Sequence, residues 1–228
     1  MSHHRKTRTK STDSLPARHI RKLNQIRREV AAEAARIIAT EGQGNYHLAK
    51  KKAAERVGIS QRLALPSNLE VQEALQDYQR LYGGEEHSKH LELLRTEAMD
   101  IMAFLSEFSP RLVGPVLDGT ASKHSRISFH VFCEESEILL LFFLENGMPF
   151  TQEQRQIRWH DGSYKTIQLL LIEKNGLTAE LAVFSQKDIR QAPPSPIDGR
   201  PQRRASLLDL ECMLNEQDLI KNLDVANI

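Results

Sequence analysis

Cysteine is scarce in this chain: two in 228 residues, Cys133 and Cys212, far apart and outside any C-x-x-C pair. That excludes a disulfide scaffold, and it leaves no basis for a structural zinc site, which needs clustered thiolate or imidazole ligands. Two reduced, buried thiols in a cytoplasmic protein are the expectation. Long apolar runs are lacking too. The longest, residues 138–144, sits between Glu137 and Glu145 and falls far short of the ~20 residues that span a bilayer. No membrane partner is expected. The basic N-terminus lacks the apolar segment of a secretory signal. Several reaction signatures are also missing. There is no GxxxxGK[ST] phosphate cradle, no GxSxG nucleophile turn and no HExxH helix, which removes P-loop enzymes, serine hydrolases of that type and zinc proteases.

What is present is an ordinary soluble composition: 26.0 kDa, 40% hydrophobic residues and mean hydropathy −0.46. The size fits one domain with an extension, or two small domains. The net charge of +1 is unevenly spread. Residues 1–30 hold nine Lys and Arg against Asp13 and Glu29, a balance of +7; the remainder holds 22 basic against 28 acidic residues. Residues 1–16 read as a disordered basic arm that ends at Pro16. Such an arm either binds nucleic acid through phosphates or is simply solvated.

Apolar residues recur at helical spacing over 17–41. Asn45 caps a second helix to Val57, and Ser67-Asn-Leu-Glu70 is a capping box for a third that ends at Gly83-Gly84. A fourth helix is expected over 86–108. From Arg111 the character changes. Strands are expected at 111–113, 127–133, 156–159, 166–172 and 177–184, with a helix over 134–146. Asp161-Gly162 and Asn175-Gly176 are hairpin turns. A proline-rich loop follows at 192–201 and a last helix at 206–214. The whole reads as α+β, in three parts: the arm 1–16, a helical region 17–85 and an α+β domain 86–228.

Residues 112–132 carry the main functional signal. Gly114, Gly119, Thr120, Ala121 and Ser125 stand in the spacing of a glycine turn followed by an apolar strand. In this spacing the segment resembles the signature of the nucleotidyltransferase fold. The resemblance implies a small mixed sheet, a turn that holds nucleotide phosphates, and two strand aspartates that bind Mg²⁺ for a two-metal displacement. Here those aspartate positions read Arg126 and Ser128, and Pro115 stands where the pattern has serine. Arg126 repels a cation, Ser128 is a weak neutral ligand, and Pro115 has no N–H to offer. Glu180 is the counterpart of a third family carboxylate, and Asp118 is a further acid in the loop. The expectation is therefore a degenerate site built by Gly114, Gly119, Thr120, Ser125, Arg126, Ser128 and His130. It binds a nucleotide, a nucleic acid or a protein partner without transferring a nucleotidyl group.

Two other classes stand beside it. One is an active, Mg²⁺-dependent nucleotidyltransferase with a rearranged site using Glu180 and Asp118. The other is a ligand-free interaction scaffold, or a nucleic-acid binder working through its basic arm. Residues 49–60 look like the first helix and turn of a helix-turn-helix, but Pro66 follows too soon for a recognition helix. Lys50, Lys51 and Lys52 then read as a solvated face. His87 and His90, three apart beside Glu86, read as an exposed helix start, and His124 lies in the motif loop. Arg200, Arg203 and Arg204 either reach an anionic ligand or belong to a connector.

Overall fold

Residues Val30, Ala31, Ala34, Ala35, Ile37 and Ile38 fall on one side of α1 (Ala17–Glu41), and all are buried. In a computed structural model, which describes residues 17–59 and 65–226, that stripe packs on α2 (Tyr46–Val57) and α3 (Asn68–Tyr82). Both helices start where local chemistry dictates. The Asn45 side chain accepts from the His47 and Leu48 amides, and Ser67 and Glu70 form the reciprocal capping box. The lysine run is only partly a solvated face. Lys50 Nζ donates to Pro66 O and Asn68 Oδ1, and Lys52 pairs with Glu41. The basic arm 1–16 and the residues after the turn at Gly58, 60–64, lie outside the described residues.

α4 (Gly84–Phe104) is shorter than the periodicity predicts, because a 3-10 turn, Ser106–Phe108, takes over its last residues. β1 (Arg111–Val113) follows, then a single-turn helix, α5 (Pro115–Asp118), β2 (Ile127–Phe132) and α6 (Ser136–Glu145). The chain continues through β3 (Phe150–Arg158), β4 (Tyr164–Lys174), β5 (Leu177–Phe184), a 3-10 turn (Gln186–Ile189) and α7 (Leu207–Ala226). The five strands make one mixed sheet in the order β1-β2-β5-β4-β3, with β2 and β5 parallel and the other pairs antiparallel. The fold is α+β. No helix among the described residues is long and apolar enough to cross a membrane.

Strand alternation gives the sheet two unlike faces. Ile127, Phe129, Val131, Ala179 and Leu181 are buried against α4, α6 and α7, forming the main core. Ser128, His130, Phe132, Glu180, Ala182 and Phe184 alternate onto the other face. There Phe132, Trp159, Ile167, Leu169 and Phe184 form a smaller cluster, and an open cleft lies beside it.

The structure corrects several sequence expectations. β3 starts at Phe150 rather than 156, because the polar run Thr151–Gln156 is held as a strand by its pairing with β4. The last helix runs to Ala226, well past 214. Cys133 is buried as expected, whereas Cys212 is exposed on α7.

Candidate functional site

The motif loop is built around one backbone requirement. Gly114 has φ +71 and ψ −153, a conformation closed to residues with a Cβ, and it turns the chain from β1 into α5. Pro115 is preset for the first helical position. Gly119 ends the turn at φ +77, and both its amide and that of Thr120 donate to Pro115 O. Thr120 is buried.

Side chains from α3 and α4 hold this loop by its carbonyls. Arg95, 4% exposed, donates to Val116 O and Leu117 O at 3.2 and 3.3 Å. Gln79 Nε2 donates to Thr120 O at 3.0 Å, His87 Nε2 to Gly119 O at 3.2 Å and His90 Nε2 to Ser122 O at 3.3 Å. His87 and His90 are therefore half-buried struts, which corrects their reading as an exposed helix start. Desolvation lowers the pKa of the Arg95 guanidinium, with the charge of Arg203 adding to the effect. Ser125 serves the loop as well: its Oγ accepts from the Ser122 amide at 2.8 Å.

The cleft has a volume of about 1150 Å³. Of the residues singled out in the sequence, Gly114, Asp118, Thr120, Ser128, His130 and Glu180 line it; Gly119, Ser125 and Arg126 do not. Ser128 and Glu180 are direct register partners on β2 and β5. Glu180 is 8% exposed, and Arg155 grips it with two 2.8 Å hydrogen bonds. Arg126 Nη1 approaches the same carboxylate at 3.4 Å. Arg155 comes from the exposed polar strand β3, and only its pairing two strands away from β5 brings it here.

Magnesium ligation does not fit this donor set. Where the resemblance implies two carboxylates, Arg126 brings a cation and Ser128 a neutral hydroxyl, and Glu180 is already paired with two guanidinium groups. Among the described residues, no three His, Cys, Asp or Glu side chains gather to hold a metal ion.

The helical half contributes to the cleft as well. Tyr46, Asn68 and Gln72 line it together with Asp118, Asp198 and Arg203. Burial raises the Asp118 carboxyl above its ordinary range, opposed by the charge of Arg203 and a hydrogen bond with Gln72. Burial, helped by the charge of Asp118, pushes the Tyr46 phenol up to about 12. The proline-rich segment is tied to this helical half by Asn68 Nδ2, which donates to Pro196 O at 2.7 Å. Its arginines diverge. Arg203 lines the cleft, Arg200 lies outside beside Asp198, and Arg204 turns inward.

No protein-family model matches the chain, and no curated protein matches it in sequence.

Proposed function

We propose that this chain carries a nucleotidyltransferase-like domain that binds a nucleotide without metal and without transferring it. The observation that carries this reading is the cluster at Glu180, the register partner of Ser128, where the Arg155 guanidinium bonds both carboxylate oxygens and Arg126 approaches one of them. Arg155 and Glu180 both line the cleft, so a guanidinium and a carboxylate stand together on its wall. Arginine suits a nucleotide ligand because its planar fork bonds phosphate oxygens and stays charged at any physiological pH. Arg158 and Arg203 also line the cleft, together with Asp118 and Asp198, and the apolar wall of Ile157, Trp159, Ile167, Leu169 and Phe184 offers a surface for a base. The free thiols Cys133 and Cys212 are in keeping with the reducing cytoplasm.

Calorimetric titration with ATP tests this reading. Binding is expected in EDTA, with no gain on adding Mg²⁺. The paired change Arg155→Ala with Glu180→Gln is expected to weaken it by about tenfold, the loss of one charge-assisted contact. Binding that requires Mg²⁺, or pyrophosphate release abolished by Glu180→Gln, overturns the proposal in favour of an active transferase. Absence of ATP binding overturns it in favour of a scaffold.

A further inference from the structure

Arg204 leaves the surface segment before α7 and folds inward. Its backbone neighbour Ala205 pairs with Leu112 of β1, which carries Arg204 to the sheet. There its Nη1 donates to Asp188 O at 2.9 Å and Ile189 O at 3.2 Å, and its Nε donates to His130 Nδ1 at 2.9 Å. The guanidinium carbon sits 4.9 Å from the Phe132 ring centroid and 5.6 Å from that of Phe184.

An arginine has donors only. A nitrogen that receives its hydrogen bond must be unprotonated, so Nδ1 of His130 is the acceptor and the ring proton sits on Nε2. The ring is held on its other flank by Phe184, 4.5 Å away between centroids. His130 is 5% exposed and lines the cleft on the same face as Ser128. Among the described residues nothing accepts from Nε2. The charge that acts on the ring is that of Arg204, which itself faces Asp188 and Arg111 (the register partner of His130 on β1); the β5 neighbours Ala182 and Phe184 are uncharged. Burial, with the positive charge of Arg204 beside it, pushes the imidazole down to about 3, so the ring stays neutral.

We infer that His130 is a fixed, uncharged Nε2–H donor to an acceptor atom of the ligand in this cleft, and that Arg204 is the positioning residue that fixes it. The inference rests on the cleft being a ligand site, but not on the ligand being a nucleotide. The acceptor is an unprotonated oxygen or ring nitrogen, and its charge is immaterial. That distinguishes His130 from Arg155, whose guanidinium selects for negative charge.

The test uses the full chain labelled with ¹⁵N-histidine. NMR of the free protein is expected to show His130 as the Nε2–H tautomer with no titration between pH 5 and 8. In Arg204→Met the ring is expected to populate both tautomers, while burial still holds its pKa below the ordinary value. A wild-type His130 that titrates near 6.5, or that carries its proton on Nδ1, overturns the inference without any variant. The ligand arm uses ATP. His130→Asn keeps an acceptor for Arg204 near the Nδ1 position and omits the Nε2 donor. It is expected to bind ATP about tenfold more weakly, with unchanged dependence on salt. Equal affinity in wild type and His130→Asn overturns the donor role. If wild type binds no ATP, the nucleotide reading and the donor role toward ATP both fail, and the NMR result decides whether Arg204 fixes His130 as the Nε2–H tautomer.

Discussion

Arg155 reaches from β3 across the intervening β4 to Glu180 on β5 and holds its carboxylate through both Nη atoms at 2.8 Å. The pair joins the exposed edge strand of the sheet to its central parallel pair, on the wall of the cleft. Glu180 is nearly buried while Arg155 is half exposed, so the carboxylate depends on the arginine more than the arginine depends on it.

Arg155→Ala is accordingly expected to destabilise the fold by about 1–2 kcal/mol, below the cost of stranding a fully buried charge because water reaches the Arg155 side. Urea denaturation reads the change. Adding Glu180→Gln to Arg155→Ala is expected to recover part of the loss, since the stranded charge is then gone. A double variant as unstable as the sum of the two single changes contradicts this account.

At Gly114 the strain is in the backbone and not in the space around it. A Cβ built there lies 3.9 Å from its nearest neighbour, Ser128 Cβ, an ordinary contact. Gly114→Ala is still expected to cost about 1–2 kcal/mol, because φ +71 is unfavourable for any residue with a side chain. Thermal denaturation measures it, and a variant as stable as wild type shows that the turn relaxes.

Arg95 is the strut with the most to lose. Its replacement by methionine keeps most of the volume and removes both hydrogen bonds to the α5 carbonyls. Leaving buried carbonyls unpaired costs about 1–3 kcal/mol. Hydrogen exchange over residues 115–122 is expected to speed up before the rest of the sheet responds, while exchange unchanged in that loop counts against the strut.

Stability should also respond to acid through His130. Its folded value is about 3, below the ordinary 6.5 of an unfolded histidine. Between those values the unfolded chain binds a proton that the folded chain refuses. Stability is therefore full above about pH 6.5 and is lost as pH falls towards 3, with a slope of at most about 1.4 kcal/mol per pH unit from this group. His130→Asn should remove that component. The difference between pH 7 and pH 5 in urea midpoints of the two proteins reports it, and parallel pH profiles refute it.

The helical half was legible residue by residue. The Asn45 cap, the Ser67–Glu70 capping box and the apolar spacing of α1 act within a few residues, so the chain displays them locally. The alternation of Ser128, His130 and Phe132 against Ile127, Phe129 and Val131 likewise placed Ser128 and His130 on one face of β2. The polar run of β3 carried no such signal. Thr151 to Gln156 are exposed, and a strand without an apolar face is selected by its partner alone. Arg155 was hidden for that reason. Gln79, Arg95, His87 and His90 were hidden because what each one bonds lies 21 to 41 positions further along the chain.

By itself, then, the sequence determined the α+β division, the capped helices and the glycine turn at Gly114. These depend on backbone conformation and residue chemistry, which act over short distances. The tertiary structure decided which side chains meet around Ser128 and His130. Parallel pairing of β2 with β5 sets Ser128 beside Glu180, the β3–β4 hairpin delivers Arg155, and the return of the chain to β1 delivers Arg204 to His130. Each of these meetings joins groups distant in sequence, and only the packing of the sheet brings them within hydrogen-bonding distance.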